Sequence, residues 1–153
     1  MLVTFYLFLQ SVLLVLLVLH DWVHLPPLTD IRAMEKMGSF RGRLINSGLF
    51  FLCVAFPLSL SWYYAPHFPQ WALFTIVFIY SVLSAGAIIA WWVPYFFGGY
   101  SKEYKRGFDE YKLTHRFLPT ISDHIVPNTA HVIIHICIWI CWLLSLFFLV
   151  SSN

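Results

Sequence analysis

AHVIIHICIWICWLLSLFFLV, residues 130–150, holds no Asp, Glu, Lys or Arg from end to end. Its length matches the roughly 20 apolar residues that carry an α-helix across a hydrocarbon core. Three further runs read the same way, over about 1–20, 44–64 and 71–97. Lipid offers no partner to backbone polar groups, so spanning segments of this kind are helical. The first run lacks a basic leading region, and Leu19-His20-Asp21 is a poor cleavage site, so it is read as a helix of the mature protein.

Composition agrees with this reading. Of the 153 residues, 60% are apolar, 20% aromatic and only 10% charged. A soluble domain carries about 25% charged residues. The length suits one membrane domain, residues 1–153. The expected fold class is an all-α integral membrane protein: a four-transmembrane-helix bundle with a cytoplasmic amphipathic surface helix. A net charge of +2 is too small to point to nucleic acid. Cys53, Cys137 and Cys141 lie inside apolar runs without a C-x-x-C pair and read as small apolar fillers.

The basic residues set the orientation. Arg32, Lys36, Arg41 and Arg43 follow the first run, and Lys102, Lys105, Arg106, Lys112 and Arg116 follow the third. The connection 65–70 and both termini have none. The positive-inside rule assigns loops 25–43 and 98–128 to the cytoplasm and both termini to the outside. A bacterial plasma membrane is the default host. Trp62, Tyr63, Tyr64 and Trp71 band at the outer boundary, and Trp91, Trp92, Tyr95, Phe96 and Phe97 at the inner one.

Local signals add detail. Pro26-Pro27 ends the first span, and Thr29 or Asp30 is placed to cap a short helix over 31–37. From Ser101, Tyr104, Phe108 and Tyr111 fall at helical spacing with basic residues on the other sides, the pattern of a helix lying on anionic lipid. Ser81 with Ala85, and Gly86 with Ala90, form small-xxx-small pairs that suit close intramolecular packing. Pro57 and Pro94 should each disturb their helices.

Six of the seven histidines fall at or near the inner boundary; His67 alone lies outside. His20 and His24 are four apart where the first span ends, as are His131 and His135 where the fourth begins. Positions i and i+4 share one helical face, so each pair can address one ion. With the first and fourth spans adjacent, four imidazoles converge, and Asp21, His115, Asp123 and His124 stand near as further ligands or acceptors. Trp139 and Trp142 would wall such a site. Imidazole suits zinc, iron, copper or nickel. A bis-histidine haem needs one ligand from each of two helices. The histidine pairs resemble those of membrane di-iron oxygenases, but no H-x-x-H-H motif is present and six histidines are few for two irons. Histidine is also an ordinary amphipathic anchor at a membrane interface.

Three function classes follow. The first is an accessory, assembly or interaction protein acting through helix packing, with membrane lipids and a protein partner or a homo-oligomer as its contacts. The alternative is a metal- or haem-binding membrane enzyme, of oxidoreductase or hydrolase type. The third is a small oligomeric transporter or channel. No charged group lies mid-span, which argues against a proton-coupled pump.

Overall fold

The computed structural model describes residues 1–31 (the Asp21 side chain excepted), 35, 39–101, 105 and 114–152. Regular structure among them is helical. Four helices are long and apolar enough to cross a membrane. We label them α1 (Leu2–Trp22), α2 (Phe40–Tyr64), α3 (Gln70–Phe97) and α4 (Thr129–Ser151). The expected helices over 31–37 and from Ser101 lie largely outside the described residues.

Each boundary has a local cause. α1 stops at Trp22 because Val23 turns extended and the chain folds back on Thr29. The Thr29 hydroxyl accepts the Leu25 N–H at 2.9 Å and donates to the Val23 carbonyl. Thr29 therefore closes the turn behind it. α2 begins four residues earlier than hydropathy suggests, since Ser39 caps it by accepting the Gly42 N–H at 3.1 Å. α4 starts at Asn128, whose side-chain oxygen accepts the His131 N–H at 3.0 Å.

α3 is not uniform. It runs as an α-helix to Ala87, widens into a π turn over Ile88–Trp92, and resumes over Val93–Phe97. The cause lies in Pro94, which has no N–H to give and whose ring crowds the carbonyl of Ala90 four residues back. The Val93 N–H reaches instead to the Ile88 carbonyl, five residues back. The disturbance expected at Pro94 is thus a widened turn. α3 ends at Gly98, with φ at 68°, a conformation that favours glycine.

The helices pack in ring order: α1 against α2 and α4, and α3 against α4 and α2. The core joins Tyr6, Leu9 and Leu13 of α1, Val54 of α2, Leu73, Ile76 and Tyr80 of α3, and Ile134, Ile138 and Cys141 of α4. The cysteines are free thiols, two of them buried in that core. Both chain ends meet the 65–69 turn at one end of the bundle, where the Phe148 ring packs on Tyr6 at 5.3 Å and on Phe68 at 5.5 Å. The histidine-bearing helix ends gather at the other.

One expectation about packing is corrected. Ala85 and Gly86 are exposed, and a Cβ on Gly86 would meet nothing within 4 Å. In this stretch Ser84 and Ala87 are buried instead, on the side of the core residues Ile76, Tyr80 and Leu83, while Ser81 is part-buried and accepts the Trp142 indole of α4.

Candidate functional site

α1 ends and α4 begins side by side, so His20, in the last turn of one, meets His131, in the first turn of the other. Their ring centroids are 4.3 Å apart at 81°, an edge-to-face contact. Trp91, from the π turn of α3, lies on His131 with centroids 3.7 Å apart. His135 sits one turn deeper and is 4% exposed. Its Nδ1 accepts the Trp92 indole N–H at 3.2 Å, and Trp139 stands 6.2 Å from its ring. The result is a stack of three imidazoles and three indoles, drawn from α1, α3 and α4.

Hydrogen bonds select the tautomers. Asn128 Oδ1 is identified as an acceptor because the His131 backbone N–H points at it. His131 Nδ1, 2.7 Å from that oxygen, must therefore carry the proton, leaving Nε2 as its acceptor nitrogen. His135 is the opposite: Nδ1 accepts, so in the neutral ring Nε2 carries the proton. Asn128 is itself anchored, its Nδ2 donating to Thr114 Oγ1 at 3.2 Å.

The remaining candidate residues serve the loops. His115 Nδ1 bonds Thr129 Oγ1 at 2.7 Å, its N–H donates to the Pro27 carbonyl, and its carbonyl accepts the Thr129 N–H. It ties the exit of α1 to the start of α4. His124 Nδ1 donates to the Tyr95 carbonyl at 2.9 Å, with Nε2 over Gly98. Asp123 is exposed and pairs with Lys105, whose ammonium holds its carboxyl below the usual range. His67 is at the opposite end, in a cleft with Val3, Tyr64 and Phe148.

Two expectations fail here. His20 and His24 do not share a helical face, because α1 has ended before His24. His24 faces outward, with Asp30 3.7 Å away. Trp142 does not wall the stack either; its indole donates to Ser81 Oγ at 2.8 Å on α3. The Asp21 side chain lies outside the described residues.

These positions bear on metal chemistry. A zinc site takes at least three protein ligands. Among the described residues no three His, Cys, Asp or Glu groups come together to hold an ion. Two imidazoles on one haem iron would have their centroids roughly 6 Å apart, given metal–nitrogen bonds of about 2 Å. His20 and His131 already touch at 4.3 Å. Among the described residues, the His20–His131 pair does not fit a bis-histidine haem and no closed metal shell is formed.

Sequence reasoning missed Asn128, and it read Trp91 and Trp92 only as interface aromatics. A signal for Asn128 existed, since Pro127-Asn128-Thr129 before an apolar run is a helix-start pattern. It also passed over Gln10, which is fully buried and donates to Tyr80 Oη at 3.2 Å. Compared with known proteins, this chain matches no family model, no curated protein and no solved structure.

Proposed function

We propose that this chain is an integral membrane protein of a bacterial plasma membrane, with both termini outside, that acts as an accessory or assembly subunit through helix packing. The observation that carries the reading is a filled axis. Leu13, Val54, Leu73, Ile76 and Tyr80 are fully buried between the helices, and rings pack at both ends of the bundle. A transporter needs a passage and an enzyme needs a cleft at its reacting groups. With the interior occupied by its own side chains, the outer surface is what the molecule offers.

That surface has a place suited to another helix. Ala85 and Gly86 face outward on α3, with Phe78, Val82 and Ile89 exposed nearby. Within a bilayer, packing between helices depends on close backbone approach, which small residues permit. The basic loops gathered at the histidine end support the orientation.

Gly86→Leu tests the reading, because the fold has open space at that position. The variant is expected to melt like the parent chain while losing a cross-linked partner, whether a second copy or another protein, in native membranes. Equal cross-linking by both chains, or none by the parent at any α3 position, would sink it. A reporter fused after Asn153 should be active only outside the cytoplasm.

A further inference from the structure

Towards the charged-loop end, α1 and α2 leave a groove of about 190 Å³ between them. Its walls are Leu17 and Val18 on one side and Leu44 and Phe51 on the other, with Gly48 as part of the lining. A Cβ on Gly48 would meet nothing within 4 Å, so the missing side chain is part of what keeps the groove open. Trp22 stands in the same lining, and the Arg43 guanidinium lies over its ring.

Arg43 is the unusual feature. Its guanidinium carbon is 4.7 Å from the Trp22 ring centroid and 5.8 Å from that of Phe40. Nε and Nη1 are buried and have no hydrogen-bond partner among the described residues. A buried cationic donor left unpaired is costly, and rings on its flanks satisfy its charge only in part. An anion would satisfy both donors. At this depth beside an apolar groove, the anion that brings its own apolar tail is a phospholipid.

We propose that one anionic phospholipid binds here, its phosphate on Arg43 and an acyl chain along the Gly48 groove. Guanidinium matches phosphate geometry through paired N–H donors. Basic pockets between helices on the cytoplasmic side are where anionic headgroups bind. Arg41, exposed nearby in sequence, adds to the attraction. The proposal rests on the reading that the bundle spans a membrane.

The test titrates the full chain, purified in detergent, with phosphatidylglycerol or phosphatidylcholine and counts bound lipid by native mass spectrometry. One phosphatidylglycerol should be retained in preference to phosphatidylcholine by roughly tenfold, because the choline cation offsets the attraction of its own phosphate to Arg43 and Arg41. Arg43→Gln should bring the two lipids to parity. Gly48→Leu, which fills open space, should lower retention of both. Equal binding by the parent chain, a preference that survives Arg43→Gln, or full retention by Gly48→Leu each overturns the proposal. Arg43→Gln is scored only if its melt matches the parent; otherwise Gly48→Leu decides. A chain that carbonate washing removes from membranes refutes the membrane reading itself. One that stays in membranes without lipid preference refutes only this site.

Discussion

Trp92 donates its indole N–H to Nδ1 of His135 across 3.2 Å, linking the π turn of α3 to the second turn of α4. The bond depends on the widened turn, which lets consecutive indoles both reach α4: Trp91 lies on His131 while Trp92 bonds His135. Trp92→Phe keeps a ring there and removes the donor. We expect a loss of about 1 kcal/mol, within the usual range for one hydrogen bond. Unfolding in mixed micelles reads it. In a double-mutant cycle with His135→Phe, the two losses should add to more than the double variant shows. Strict additivity would mean that the bond contributes nothing.

Asn128 has two tasks, capping α4 and holding the His131 tautomer. Asn128→Ala should cost about 1–2 kcal/mol, the upper range for a lost N-cap. Asn128→Asp keeps the acceptor for the His131 N–H and should recover most of that loss. Nitrogen NMR of the His131 ring should show its proton on Nδ1 in the parent chain and Asn128→Asp, and a mixed population in Asn128→Ala. An unchanged tautomer in the alanine variant refutes the assignment.

Gly98 combines positive φ with close approach, since a Cβ there would stand 2.8 Å from His124 Nε2. Gly98→Ala should destabilise by about 1–3 kcal/mol through backbone strain, with a clash in addition. Adding His124→Ala should relieve the clash and leave the strain. Thermal melts of the single and double variants separate the two contributions.

The Asp123–Lys105 pair gives a pH dependence of known sign. Lys105 lowers the folded-state pKa of Asp123 below its ordinary 3.8. The pair's stabilisation is therefore whole above that value and disappears as pH falls through the lowered one. Because Asp123 is exposed, the effect is small and salt-sensitive. Once exchange rates are corrected for the intrinsic pH dependence of amides, protection in the 114–128 loop should fall on acidification in the parent chain. In Asp123→Asn the protection should already be at the lower level and not respond.

Gln10 and Tyr80 form a buried pair whose members are costly singly. Gln10→Leu alone leaves the Tyr80 hydroxyl without its donor and should destabilise by about 1–3 kcal/mol. Gln10→Leu with Tyr80→Phe removes both ends and should return close to parent stability. A double variant as unstable as the single would show that packing, rather than the bond, matters there.

Much of this was legible along the chain. Uncharged runs such as 130–150 marked four helices to within a few residues, because hydropathy is a property of each segment alone. Caps shifted the boundaries where a side chain could satisfy a free N–H, as Ser39 does for α2. An even number of helices joined end to end also returned the termini to one end of the bundle. The meeting of His20 with His131 followed only once α1 was found beside α4.

Tertiary structure decided the rest, since neighbours and azimuth are set by packing between segments. Spacing alone paired His20 with His24, but the fold of 23–29 around Thr29 ends the helix between them. Spacing turned Gly86 inward, whereas the buried side of α3 follows Tyr80, Leu83 and Ala87. The groove lined by Trp22 and Gly48 and the indoles around His135 exist only where two helices come together. Linear order carries each helix's own composition, and contact energies between helices choose which faces meet.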